Sequence, residues 1–303
     1  MKKSQLNTPI LFIAFNRPDI TKIVFDEIKK VRPKKLFVSV DGPRNEIERQ
    51  KVEKVKKIVS DIDWPCEVKK KFNRKNLGCR KAESSAMTWF FNNVDEGIVL
   101  EDDCLPSKDF FKFCEEILAR YRDDERIMHI SGNNFLGNLR KYKYSYYFSK
   151  YPFSWGWASW RRAWKKYDVD MKLYPKIKIG DYLKNFSFLE KLRVKSKLKA
   201  TYKGLEDTWD YQWFFSLLIN KGLAIVPKKN LVKNIGFRED STHTKPIDSY
   251  LSVPTENMDF PLKHPSHVKW DKEADKKYFK RFFWKRAMNV FLRKTNLIKI
   301  FRF

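Results

Sequence analysis

The chain has 303 residues, of which 42% are hydrophobic and 16% aromatic, and it carries only 10 glycines. That composition excludes a disordered or collagen-like chain and supplies a sizeable core for one large domain or two closely joined ones. Sixty-four lysines and arginines against 37 acids leave a formal charge of +27, so an anionic partner is expected: nucleic acid, anionic lipid or a phosphorylated substrate.

The N-terminus offers Lys2 and Lys3, then the apolar run Ile10 to Phe15, broken by Asn16-Arg17-Pro18-Asp19. A run of that length suits a buried parallel strand and is too short for a signal sequence or a membrane span. No later window is apolar enough to span either. Ile20, Val24 and Ile28 then fall on one face of a helix over 20–30. Leu36 to Val40 is a second strand, ended by Asp41-Gly42-Pro43, and 46–60 is again helix-periodic. Cys66 to Phe72 fits a third strand, followed by a helix over 82–91. Gly97 to Leu100 is a fourth strand running into Glu101-Asp102-Asp103, after which Ser107 is placed to cap a helix over 109–121.

Strand, turn and helix repeated four times predict an α/β layer with a mostly parallel sheet. In such sheets ligands sit at the carboxyl ends of the strands, where Arg17, Asp41 and Asp102-Asp103 all fall. Beyond residue 125 the pattern changes. Strands are expected at 127–130 and 144–149, then Trp-rich turns, then helices through the Lys-rich stretch 172–203. The four cysteines lack any CxxC or zinc spacing and read as reduced thiols. From Lys276 to Phe303 the chain has ten basic residues, no acidic one and eight aromatics, and removing this tail still leaves +17. Bulky rings among cations suit an amphipathic helix on anionic lipid, with a nucleic-acid contact or a solvated helix packed on the body as the other readings. No nucleic-acid-binding motif accompanies the charge.

Three adjacent carboxylates after a buried strand repel one another unless a cation sits among them. Mg²⁺ or Mn²⁺ takes one or two carboxylates together with phosphate oxygens, which suits a nucleoside diphosphate. Taken alone, the same triplet would be an acidic turn before a helix. Arg17 suits planar contacts to phosphate or base, and Asp41 could accept from a base or ribose or simply make a turn. Asn76 to Arg80 precedes a helix and offers backbone N–H groups and the Arg80 side chain to an anion. Trp155-Gly156-Trp157 places two indoles around a glycine, as sugar-binding or core residues do. Glu206-Asp207-Thr208-Trp209-Asp210 is a second acidic cluster, able to supply a general base or to start the apolar helix 211–218. His243 could ligate a metal or phosphate.

These residues together resemble nucleotide-sugar glycosyltransferases of the GT-A fold, the N-acetylglucosaminyltransferase I type in particular. The chain also resembles bacterial sugar transferases labelled haemolytic-protein-like, which share the segment Trp-Asp-Tyr-Gln-Trp. The similarity runs from about residue 9 to 245. It is carried by Val99-Leu100-Glu101-Asp102-Asp103 with Phe110-Phe111, by Trp209-Asp210 followed by Pro227, and by Asn230-Leu231-Val232 and Asn234 to Phe237 before Thr242-His243-Thr244. The resemblance implies a Rossmann-like GT-A sheet flanked by helices, with a nucleotide-sugar half over 1–125, an acceptor half over 126–270 and a basic aromatic tail over 271–303. It implies that Arg17 and Asp41 hold the uridine, that Asp102 lies against the ribose or the metal shell, and that Asp103 ligates Mn²⁺ or Mg²⁺. Glu101, Arg80 and the Trp155–Gly156–Trp157 loop would complete the donor site. Asp210 would be the catalytic base with Trp209 beside it, and His243 would sit on a loop closing over the diphosphate. The animal enzymes carry an N-terminal membrane anchor that has no counterpart here, and their acceptor region does not match 170–203.

The expected reaction is transfer from a UDP-sugar, UDP-GlcNAc among the candidates, to a hydroxyl of a glycan or lipid-linked acceptor, with inversion. The expected place is cytoplasmic, on the inner face of a bacterial membrane and held there through 276–303, in surface polysaccharide synthesis, with no nucleic acid bound. A nucleotidyl- or phospho-transferase on a similar layer is the rival enzyme. A nucleic-acid-binding protein is the rival that lacks an enzyme role, and it leaves both acidic clusters unexplained.

Overall fold

A computed structural model describes residues 5–137, 141–237 and 253–294, with side chains described as far as Phe283. In chain order the first half reads β1 (Ile10–Ala14), α1 (Pro18–Val31), β2 (Lys35–Val40), α2 (Glu46–Ser60), β3 (Glu67–Phe72), α3 (Gly78–Asn93), β4 (Glu96–Glu101), β5 (Cys104–Pro106) and α4 (Lys108–Arg120). The second half holds β6 (Ile127–Ser131), β7 (Tyr146–Ser149), β8 (Trp157–Trp160), α5 (Arg161–Trp164), α6 (Ile179–Tyr182), α7 (Phe188–Tyr202), α8 (Asp210–Ile219), β9 (Leu223–Pro227), β10 (Val232–Asn234) and α9 (Lys272–Lys294). His243 and the chain beyond Lys294 lie outside the described residues.

Eight strands form one sheet in the order β3-β2-β1-β4-β8-β6-β9-β7. Four of its seven pairings are parallel: β1 with β2, β1 with β4, β2 with β3, and β6 with β9. The expected α/β layer is therefore present, with its helices packed over a mainly parallel sheet. The Trp-rich turn departs from expectation, because Trp157–Trp160 is strand β8, antiparallel to both β4 and β6. Gly156 makes this entry possible. Its φ of +58° suits a residue without a Cβ, and a Cβ there would sit 2.8 Å from Val232.

Alternation along β1 sends Ile10, Phe12 and Ala14 to one face and Leu11 and Ile13 to the other. Both faces are buried, as the uninterrupted apolar runs required. From β1 the chain goes to β2 on one side, while β4 pairs on the other side. The carboxyl ends of β1 and β4 therefore flank the switch point of the sheet, where a crevice opens. Arg17 follows β1, and Glu101-Asp102-Asp103 closes β4.

A two-stranded antiparallel ribbon pairs β5 with β10, matching Cys104 to Asn234. It folds Asn234 to Gly236 back over the acidic triplet, with Ile235 N–H donating to the Asp103 carbonyl at 2.8 Å. The stretch 172–203 contains a single 3-10 turn at Tyr174–Lys176 and the helices α6 and α7, as expected for a helical stretch. Ser107 holds the position just before α4, but its hydroxyl has no hydrogen-bond partner, so it does not cap through its side chain.

α9 is tied to the sheet by Asp275 in its first turn. That buried carboxylate accepts from Ser149 Oγ at 2.5 Å, Lys150 N at 2.8 Å and Trp270 Nε1 at 2.6 Å. The start of the basic tail is thus packed onto the body. Among the described residues no helix is long and apolar enough to cross a membrane.

Candidate active site

A cleft of about 180 Å³ opens at the switch point, lined among others by Arg17, Glu83, Glu101, Asp103, Trp155 and Asp210. The two acidic clusters, about a hundred residues apart in sequence, therefore share one site. Asp103 reaches it from the end of β4, and Asp210 from the first turn of α8.

Arg17 bridges to Asp102 and, at 3.1 Å, to Asp103 Oδ2. Burial opposes charge on the guanidinium, but the two carboxylates outweigh it and hold Arg17 protonated well above its ordinary range. Burial pushes the Asp102 carboxyl up, although Arg17 draws it down. Glu101 is pushed well up by burial first and then by repulsion from Glu83, Asp103 and Asp102. The cluster is short of positive charge. Gly236 packs against it so closely that a Cβ would stand 2.5 Å from Asp103 Oδ2 and 3.0 Å from Arg17 Nη1.

Glu83, on α3, was not foreseen from the sequence. Burial lifts its carboxyl to about 8, with Asp103 and Asp210 adding repulsion, while a thiol hydrogen bond from Cys79 at 3.2 Å and one from Trp209 oppose the rise. A single Glu amid Ala82, Ser84 and Ala86, all small and buried, was the available signal. Asn234 and Thr208 also line the cleft without having been foreseen. Thr208 Oγ1 donates to Asp210 Oδ1, which also accepts from Tyr211 N at 2.8 Å, so the catalytic candidate is held in one orientation.

Trp209 stacks on Trp157 at 5.3 Å, and Trp157 stacks on His129 at 5.1 Å. Trp213 Nε1 donates to His129 Nδ1 at 3.1 Å, so His129 Nε2 carries the proton and donates to the Phe153 carbonyl at 3.0 Å. Burial holds His129 neutral, down to about 3. This column backs Trp209 and Asp210. Trp157 is fully buried within it and does not face the cleft, whereas Trp155 lines the cleft.

Two other candidates are engaged by the protein itself. The Asp41 carboxylate accepts from Gly42 N, Asn73 Nδ2 and Asn76 Nδ2, each at 2.9 Å, and from Leu77 N at 3.1 Å. It ties the loop after β2 to the loop before α3. The N-terminal amides of α3 do hold an anion, but it is Asp207: Cys79 N and Arg80 N donate to its two oxygens at 3.0 and 3.1 Å. The Arg80 side chain is not among the cleft-lining groups, and its Nε is buried without a partner.

Oxygens of Glu101 and Asp103 and the Cys104 sulfur lie within 4.8 Å of one another. Cys104 offers a soft sulfur and Glu101 and Asp103 offer hard oxygens, so the carboxylates are the donors a hard cation would take. That donor set fits a hard divalent cation such as Mg²⁺ or Mn²⁺.

No family model and no curated protein matches this sequence. Among solved structures, the chain is similar to an inositol-1-phosphate CTP transferase from T. maritima at 10% identity. That match covers 81% of this chain and 95% of that one, with a TM-score of 0.38. It is similar to a UDP-glucose pyrophosphorylase complexed with UDP-glucose at 9% identity, over 91% and 99% of the two chains, with a TM-score of 0.38. It is also similar to mouse xyloside xylosyltransferase 1 in its apo form at 11% identity, over 70% and 81%, with a TM-score of 0.37.

Proposed function

We propose that this chain is a metal-dependent glycosyltransferase that moves a sugar from a UDP-sugar to an acceptor hydroxyl with inversion. The observation that carries the proposal is the meeting of Asp103 and Asp210 in one cleft at the switch point, with Arg17 bridging the triplet beneath. Asp103 and Glu101 would hold the cation, which when bound supplies neutralising charge for a leaving diphosphate. The chain's own residues do the rest. Arg17 ties Asp102 and Asp103 in place through its guanidinium. Asp41 shapes the loop pair that would border the uridine. Asp210, oriented by Thr208 and Tyr211 N–H, takes the proton from the attacking hydroxyl. Base and leaving group act on opposite faces of the sugar, the geometry that inverting glycoside hydrolysis also uses.

We read the acceptor as a glycan or lipid-linked hydroxyl at an anionic bilayer face. The outward stripe of α7 supports this, because Phe188, Leu189 and Leu192 are exposed at 72%, 49% and 51% and are followed by Lys195 and Lys199. The same surface chemistry continues into Lys276, Lys277 and Lys280 of α9.

Calorimetry of UDP binding with and without Mn²⁺, on wild type and Asp103→Ala, tests the donor site. Metal-dependent binding lost in the variant is the expected result, and a folded wild type that ignores UDP would sink the proposal. Turnover must then release free UDP. Pyrophosphate release would make the chain a nucleotidyltransferase. Asp210→Asn should keep UDP binding and lose transfer; near wild-type transfer would remove Asp210 as the base.

A further inference from the structure

We infer that an aromatic cavity beside the cleft is the acceptor site, and that it takes one sugar ring bearing an anionic group such as phosphate. The inference rests on the glycosyl transfer proposed above and names its second substrate. The cavity, about 250 Å³, lies between the 151–155 loop, α7, α8 and the first turns of α9. Ligand pockets commonly run from about 300 to 1,000 Å³, so this one suits a single ring better than an oligosaccharide. It shares Ser154, Trp155 and Asp210 with the acidic cleft. A ring seated in it therefore presents its hydroxyl to Asp210 from the side away from the triplet.

The walls are rings. Tyr278 packs on Phe153 at 4.6 Å and on Tyr151 at 5.1 Å, Tyr151 stacks on Phe214 at 5.8 Å, and Phe282 closes the end beside Tyr278 at 5.9 Å. Flat apolar surfaces of this kind match the C–H faces of a sugar and give a bare anion nothing to bond. Charge enters through α7, which contributes two cations with different fates. Lys197 is paired with Glu206. Arg193 stacks its guanidinium 4.8 Å over Phe282, and among the described residues no carboxylate lies within ion-pair distance of it. A guanidinium laid on an aromatic wall and unmatched by an acid is built to receive a planar or phosphate oxyanion. The tail helix thus supplies part of the substrate site through Tyr278, Phe279 and Phe282.

The test uses the full chain saturated with UDP and Mn²⁺, so that added phosphates cannot occupy the donor cleft. Ligand-observed NMR compares hexose 1- and 6-phosphates with the matching methyl glycosides. At least one phosphate should bind about tenfold tighter than its neutral partner, the order a single charge-assisted hydrogen bond supplies. Arg193→Gln should erase that preference, and Tyr278→Ala should weaken both ligands of the pair. Equal binding of charged and neutral sugars, or a preference that survives Arg193→Gln, would overturn the anionic assignment. No binding of any sugar by the UDP-loaded wild type would overturn the cavity as acceptor site. UDP binding by each variant reports whether it has folded. A wild type that fails to bind UDP would instead sink the donor reading, so the two failures are distinguishable.

Discussion

Replacing Arg17 by Met keeps most of the side chain's volume and removes only its charge and donors. The guanidinium is mostly buried, its two carboxylate partners are more so, and it meets both of them directly. Breaking a buried ion pair from one side leaves an uncompensated charge and costs about 3–5 kcal/mol. Here the carboxylates have a partial escape, because Asp102 is already raised by burial and rises further once Arg17 is gone. The sign follows. With a folded-state pKa above the unfolded one, the protein holds a proton that the unfolded chain releases, so stability falls as pH rises. Arg17→Met should therefore approach the full loss at pH 8 and lose less at pH 5.5. Urea unfolding at the two pH values measures both, and Arg17→Met/Asp102→Asn should recover most of the loss at pH 8. A single variant within about 1 kcal/mol of wild type at both pH values would refute the buried-pair reasoning.

Gly236→Ala should cost about 1–3 kcal/mol, as overpacking does, and should abolish metal-dependent UDP binding, since its Cβ would press on Asp103 and Arg17. Intact UDP binding by that variant would show that the ribbon does not shape the acidic site. Asp275, pushed up to about 7 by burial, keeps its proton in the fold while the unfolded chain loses it near 4. Stability should fall between about pH 4 and 7 by up to about 1.4 kcal/mol per pH unit from this group, and Asp275→Asn should flatten the curve by that amount. An unchanged pH slope in denaturant titrations would contradict it. Phe188→Ser/Leu192→Ser should weaken sedimentation with anionic liposomes while neutral liposomes stay unbound; equal sedimentation would place the contact elsewhere.

Much of the fold was legible because the first half is built from long, regular signals. The apolar runs of β1 and β2 and the helical spacing of α1 and α2 give boundaries within a few residues of those observed. Trp157–Trp160 was not legible as a strand, since a glycine between two indoles looks like a turn until neighbours on both sides bury it. β5 and β10 have three residues each, and their pairing depends on contacts more than a hundred residues apart. The acidic triplet and Asp210 stood out by position and charge. Glu83 did not, because its meaning comes from what β4 and α8 bring against it.

The second acidic cluster shows why residue type alone could not assign roles. Glu206, Asp207 and Asp210 fall within five consecutive residues, yet the three acids have three different fates. Glu206 pairs with Lys197 on α7 and fixes the wall of the aromatic cavity. Asp207 caps α3, accepting from two of its N-terminal amides, and so anchors the helix that carries Glu83. Asp210 lines both the acidic cleft and the aromatic cavity. The first two acids hold in register the elements on either side of the third. Neutralising Asp207 should therefore loosen α3 and disturb the Glu83 side of the cleft, whereas neutralising Asp210 should leave the architecture intact and remove only the proposed proton acceptor.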